Sequence, residues 1–330
     1  MADKISIAMC TYNGEQFLRD QLASIAVQTR PPDELVVCDD HSADATCEIV
    51  ARFAASSPFP VRLHVNEQNL GSTKNFERAI RLCEGDIIAL SDQDDVWLPE
   101  KLRRIEDCFL GKPEVGLVFT DAEVVDENLQ PLGYRLWESI GFDNRHRRLV
   151  RTGRVLDVLL PGRTVTGATM AFRASFKNLV LEIPTNLAPI HDGWIALMIA
   201  SVADVSFIEA PLIKYRQHAR QQLGAKERKA EEGGAVGLVG VKEAMRRTNS
   251  YDEMIEIGKQ AQRRLSERGD LYKSEKALAK LEARLKHLKA RAHLPDGKLS
   301  RARCVIGELL SRRYHLYSNG FRSAAKDLLA

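Results

Sequence analysis
Strand-like and helix-like segments alternate over the first 120 residues, and this alternation constrains the fold more than any other feature of the chain. Short apolar runs at residues 5–9, 35–38, 61–65 and 87–90 have the length of buried strands. Between them lie stretches with helical spacing. Phe17, Leu18, Leu22 and Ile25 share one face of residues 15–28, and Phe76, Ala79, Ile80 and Cys83 share one face of 72–83. Residues 43–55 and 99–110 read as further helices, the last with Pro99 near its first turn. This order predicts an α/β fold, with a mostly parallel sheet flanked by helices on both faces. In such sheets ligands sit beyond the carboxyl ends of the strands. Polar clusters fall at those ends: Thr11-Tyr12-Asn13, Asp39-Asp40 and Asp92-Gln93-Asp94-Asp95.

Residues 115–220 are less regular. Strands are expected at 116–120, 165–172, 205–208 and 212–215, and a helix at 190–203. Residues 225–240, rich in Gly, Lys and Glu, read as a linker between a body at 1–224 and a basic helical region at 241–330. Leu271, Leu278, Leu281, Leu285 and Leu288 approach heptad spacing, over too short a stretch for a coiled coil, and suggest a helical hairpin. Charge divides the same way. Residues 1–210 hold 21 Lys and Arg against 31 Asp and Glu, and residues 211–330 hold 27 against 14. A basic tail carrying Tyr314, Leu316, Tyr317 and Phe321 suits either a membrane surface or a neighbouring helix. No apolar run approaches the roughly 20 residues that span a bilayer. The first residues show no signal-peptide pattern, so a cytoplasmic location is expected. The six cysteines form no C-x-x-C pair and read as reduced, mostly core residues.

The chemistry rests on four clusters. Asp92, Asp94 and Asp95 repel one another, and a hard divalent cation, Mg²⁺ or Mn²⁺, would remove that cost; an acidic turn with helix caps is the plainer alternative. Asp39-Asp40 either caps the next helix or accepts a hydrogen bond from a pyrimidine N–H. In His191-Asp192-Gly193-Trp194, the Asp is a helix cap or a general base, and the Trp meets a sugar ring or fills core. In Tyr215-Arg216-Gln217-His218, the imidazole suits a metal and the guanidinium a diphosphate.

Together these segments resemble the family 2 inverting glycosyltransferases of GT-A fold. The similarity runs from about residue 4 to 225 and leaves out the tail. Residues 5–14 look like the family's opening strand and turn, and Val37-Cys38-Asp39-Asp40-His41-Ser42 like its nucleotide-base loop, with His41 where Gly is commoner. Ser91-Asp92-Gln93-Asp94-Asp95-Val96-Trp97 is similar to the motif of bacterial rhamnosyltransferases that build O-antigen and wall rhamnan. The resemblance implies that Asp39 contacts the base, with Thr11 and Tyr12 beside it, and that Asp92 faces the ribose. It also implies that Asp94 and His218 bind the metal, that Asp192 is the catalytic base, and that Thr166 and Gly167 line the acceptor side, to which Trp194 is assigned for its aromatic face. It implies transfer of L-rhamnose from dTDP-β-L-rhamnose, with inversion, to a growing cell-surface polysaccharide or lipid-linked oligosaccharide. The basic helices would then touch the membrane.

Other classes fit less well. The first turn lacks the G-x-G-x-x-G of dinucleotide enzymes, no P-loop is present, and the Gly-rich basic loop of sugar nucleotidyltransferases is missing. No nucleic-acid-binding motif accompanies the basic tail, so no nucleic-acid partner is expected. A degenerate, non-catalytic protein that binds carbohydrate or nucleotide sugar on the same fold remains the alternative.

Overall fold
The structure is a computed structural model that describes residues 3–160, 165–185, 191–219, 221, 248–268 and 271–329. The proposed linker at 225–240 lies outside them. The chain forms two compact units, the first comprising Met1–Val155, Thr164–Thr185 and Pro189–Arg228, the second Leu156–Arg163, Asn186–Ala188 and Lys229–Ala330.

The first unit opens with the expected alternation: β1 (Ile5–Thr11), α1 (Leu18–Ala26), β2 (Glu34–Asp39), α2 (Thr46–Ala54), β3 (Val61–Val65), α3 (Ser72–Leu82), β4 (Ile87–Ser91), β5 (Val96–Trp97) and α4 (Lys101–Phe109). It continues through β6 (Val115–Val125), β7 (Pro131–Arg135), α5 (Leu136–Ile140) and α6 (Asn144–Arg151). The short α7 (Leu156–Leu159) falls in the second unit, and β8 (Met170–Arg173), α8 (Lys177–Val180), α9 (His191–Ala200) and β9 (Asp204–Arg216) complete the first. Strand order is β3-β2-β1-β4-β8-β6-β9-β5, with β7 on β6. The first four strands run parallel. Every residue of β1, β2 and β4 is buried, which is why these strands read as continuous apolar runs. Leu18, Leu22 and Ile25 of α1 and Leu102, Ile105 and Phe109 of α4 bury one face of each helix in the same core.

Two registers position the site. Thr11 pairs with Asp39 and Met9 with Ser91, so β1, β2 and β4 release their loops at one edge. Val96 of β5 pairs with Lys214 of β9, which lays the acidic loop after β4 beside residues 216–218.

Two local expectations change. Residues 165–172 are not one strand: Gly167–Thr169 curl into a 3-10 turn before β8. The Gly167 N–H donates to the Asp192 carboxylate instead of to a strand neighbour. The strands expected at 205–208 and 212–215 are one strand, β9, whose pairing with β6 shifts register between Ile208 and Pro211. Such an irregularity accommodates a proline that cannot donate to the ladder.

In the second unit α10 (Thr248–Glu267) and α11 (Glu275–Ala292) pair as a hairpin, with Ile255, Leu285 and Leu288 in their shared core. Leu281 is buried as the spacing predicted, whereas Leu271 is exposed before the second helix. Then come α12 (Lys298–Leu310), α13 (Arg313–Tyr317) and α14 (Phe321–Leu329), packed around Val305, Tyr314 and Ala324. Among the described residues no helix is long and apolar enough to cross a membrane.

Candidate active site
The strand ends of the first unit line a cleft of about 780 Å³, a size usual for small-molecule sites. Thr11, Tyr12, Asp92, Asp94, Thr166, Gly167, Asp192 and His218 all reach its wall, so segments far apart in sequence meet in one place.

On the nucleotide side, β1 ends in a turn that Gln93 holds. The Tyr12 N–H donates to Gln93 Oε1 at 2.8 Å, and Gln93 Nε2 donates to the Tyr12 carbonyl at 3.0 Å. Gly14 leaves room for this clasp, because a Cβ there would lie 2.3 Å from Gln93 Oε1. Tyr12 itself is 50% exposed and free to offer its ring. Asp39 stands behind this surface. It is fully buried, accepting from Thr11 Oγ1 at 2.7 Å, Ser42 Oγ at 2.6 Å and the Ser42 N–H at 2.8 Å. Direct contact with a base, as the resemblance implied, would require these bonds to rearrange. Asp40 lines the cleft, and its carboxylate ties down the next loop through Asn66 and the N–H groups of Leu70 and Gly71. His41 follows with φ 66°, a left-handed backbone where glycine is the easier residue.

The acidic loop is braced from β9. His218 Nε2 lies 2.8 Å from Asp94 Oδ2. The Arg216 N–H donates to Asp95 Oδ1 at 3.1 Å, and Arg216 Nε to the Asp94 carbonyl at 2.8 Å. The rest of the guanidinium donates to the Glu127 carbonyl and to Asp20, and the side chain is 2% exposed. It therefore grips the loop rather than a diphosphate, which corrects that sequence reading. Burial, then the charges of Asp94 and Asp192, push Asp92 up to about 7. Burial likewise raises Asp95 well above the usual carboxylate range, its Oδ2 lacking any hydrogen-bond partner. Lys101 offsets a small part of this charge, although burial pushes its own ammonium well below the usual lysine range. It is fully buried, donates to the Ala168 carbonyl at 2.8 Å, and lies 3.5 Å from the Trp97 ring centroid.

Asp192 enters from α9, a helix buried almost all round, so its carboxylate is fixed against a rigid support. Oδ1 accepts the Gly193 N–H at 2.6 Å and Oδ2 the Gly167 N–H at 3.1 Å. Burial still dominates and lifts this carboxyl to about 7. Each oxygen keeps a lone pair for a further proton. His191 stacks on Phe76 with ring centroids 4.0 Å apart, and burial pushes its imidazole down to about 3, so it stays neutral. Trp194 does not reach the cleft. It is buried and its indole N–H donates to the Val180 carbonyl at 2.8 Å, so it fills core and is not an acceptor-side residue.

Among the described residues no three acidic, His or Cys side chains form a complete ligand set. Asp94 and His218 would supply two donors, one oxygen and one nitrogen, and substrate oxygens the remainder, the usual economy for Mg²⁺ or Mn²⁺. Gln93, Lys101 and Arg216 are the residues that sequence reasoning missed or misread. Their roles lie in contacts across 67 to 122 positions, which no local pattern signals.

The family model described as glycosyl transferase family 2 matches residues 6–174, slightly more than half of the chain. The chain belongs to glycosyl transferase family 2. Among its relatives is the dTDP-rhamnosyl transferase RfbG of Shigella flexneri, 28% identical over 227 residues, covering 66% of this chain and 74% of that protein. The protein Rv1520 of Mycobacterium tuberculosis is 27% identical over 223 residues, and the match covers 65% of this chain and 59% of that one. The fold is shared with S. aureus TarS 1-349 in complex with UDP-GlcNAc, at TM-score 0.57 and 16% identity, over 98% of this chain and 88% of that one. It is also shared with the mannosyltransferase PcManGT of Pyrobaculum calidifontis in complex with GDP-Man and Mn²⁺, at TM-score 0.51 and 18% identity, over 99% and 84%. The chain thus carries a family 2 domain on a GT-A sheet, followed by C-terminal helices.

Proposed function
We propose that this family 2 transferase moves L-rhamnose from dTDP-L-rhamnose to a saccharide or lipid-linked saccharide at the cytoplasmic face of the membrane, in one inverting, metal-dependent displacement. The observation that carries the mechanism is Asp192, a carboxylate tuned to about 7 and fixed in the same cleft as Asp92 and Asp94. A group of that pKa suits general-base work near neutral pH. The rhamnosyl donor rests on the similarity to RfbG.

In this reading Tyr12 packs against the base, with Thr11 at the wall and Asp39 holding Thr11 in place. Asp92 faces the ribose. Asp94 and His218 would hold a divalent ion, which when bound supplies positive charge against the donor diphosphate. Asp192 accepts the acceptor hydroxyl proton as that oxygen bonds to the anomeric carbon and the bond to the diphosphate breaks. Thr166 and Gly167 flank Asp192 on the acceptor side. One displacement with no carboxylate nucleophile inverts the anomeric centre.

Thermal unfolding with a panel of nucleotide sugars, with and without Mn²⁺ or Mg²⁺, tests the site. The expected result is a rise in Tm with dTDP-rhamnose that requires metal and is lost in Asp94→Ala. A rise with a different donor would replace rhamnose; no rise with any donor would favour the degenerate, non-catalytic alternative. Asp192→Asn should retain donor binding and lose about 10²–10⁴-fold in kcat.

A further inference from the structure
Seven of the fourteen large apolar side chains exposed among the described residues fall between Leu299 and Leu329. On α12, Leu299, Arg303, Ile306 and Leu310 are spaced i, i+4, i+7, i+11, which places them on one stripe. That stripe faces away from the core residue Val305, and Leu299 and Leu310 are 84% and 80% exposed. On α14, Phe321 and Leu328 repeat the arrangement, with Phe321 71% exposed.

The charges of this segment are sorted as well. Its only acids between residues 298 and 329 are Glu308 and Asp327, and both are buried. Glu308 is held by Arg313 and by His287 Nδ1 at 2.7 Å. Asp327 accepts two hydrogen bonds from Arg291, at 2.6 and 2.9 Å, and one from the Tyr314 hydroxyl at 2.6 Å. Lys298, Arg303, Arg312, Arg322 and Lys326 remain exposed, so every exposed ionisable side chain that carries a fixed charge here is cationic.

We infer that α12 and α14 form a docking surface for an anionic phospholipid bilayer, lying on it with their apolar stripes in the headgroup–acyl boundary. Apolar stripes need an apolar phase, which nucleic acid does not offer. A two-fold contact with a second copy would set one cationic surface against another. An anionic bilayer satisfies both the apolar and the charged component. Helices of 13 and 9 residues are too short to span it.

The test is co-sedimentation of the full chain, without donor or acceptor, with mixed phosphatidylcholine–phosphatidylglycerol vesicles and with pure phosphatidylcholine. Binding should be confined to the anionic vesicles and weaken with salt. It should fall at least about tenfold in Leu299→Glu/Leu310→Glu and in Arg303→Glu/Arg322→Glu. Circular dichroism and the donor-dependent Tm rise should be unchanged in both variants. No binding of the unaltered chain to anionic vesicles overturns the inference, as does equal binding to neutral ones. Light scattering that shows a dimer dissociated by the leucine variant would overturn it in favour of self-association. Because donor is absent, failure here leaves the catalytic reading intact, and failure of donor binding leaves this surface intact.

Discussion
Single side chains in the cleft do their work through others. Gln93 touches both the backbone of Tyr12 and the space above Gly14, so it couples the nucleotide turn to the acidic loop. Gln93→Ala removes two hydrogen bonds worth about 1 kcal/mol each. The expected outcome is a ten- to thirtyfold rise in nucleotide Kd by calorimetry, with kcat at saturating donor little changed. Gly14→Ala should reproduce it, because the new methyl displaces the same amide. An unaltered Kd in both would show that the turn holds its shape unaided. The base can be read by pH. Asp192 must be deprotonated to accept a proton, so kcat should rise with pH and level off above about 7; a flat profile between pH 5.5 and 8.5 would remove it from that role. His41 illustrates a residue tolerated against local preference: His41→Gly relieves a left-handed conformation and should be neutral or stabilising by up to about 1 kcal/mol in urea unfolding.

Among elements, the parallel half of the sheet was legible because its strands are wholly buried and its helices keep one apolar face. In the other half β6, β8 and β9 were read with shifted bounds, and β5 and β7 were not read at all. β5 has two residues and β7 is largely exposed, so neither period nor apolar run marks them. The candidate site was legible in the same proportion. Asp92, Asp94, Asp192 and His218 stand out by chemical type after strand ends or at a helix start. Trp194 was assigned to the acceptor side because an indole suits a sugar ring as well as a core; only the burial of the helix around it separates the two. Arg216 shows what an element end contributes: the last residue of β9 grips the Asp94 carbonyl, while His218, two residues on, meets the Asp94 carboxylate. Arg216→Lys keeps the charge but loses the planar fork that serves three acceptors. Supporting residues of this kind usually weigh ten- to a hundredfold on metal affinity, so Mn²⁺ titration in the presence of nucleotide should show a loss in that range.

At the scale of the molecule, the cleft stores electrostatic stress. Asp92 and Asp192 both titrate near 7 in the folded chain, above the roughly 3.9 of an unfolded aspartate. Between those values the folded state holds more protons than the unfolded one, so stability falls as pH rises from about 4 through 7. Without metal, the Tm of the unaltered chain should drop over that window more steeply than that of Asp92→Asn. Added Mn²⁺ with nucleotide should recover the loss at pH 7.5. An identical slope in the variant would mean that the cost sits elsewhere. The path of the chain between the two units carries a different consequence. The second unit is not simply a tail, because α7 belongs to it and its Asp157 pairs with Lys280 of α11 at 2.7 Å. A protease nick near residue 228 would therefore leave α7 covalently on the amino-terminal fragment, while its packing partners stay on the other. The two pieces should co-purify as a complementing pair and part only in denaturant, and a gene shortened at residue 224 would express a body still carrying a displaced piece of its neighbour.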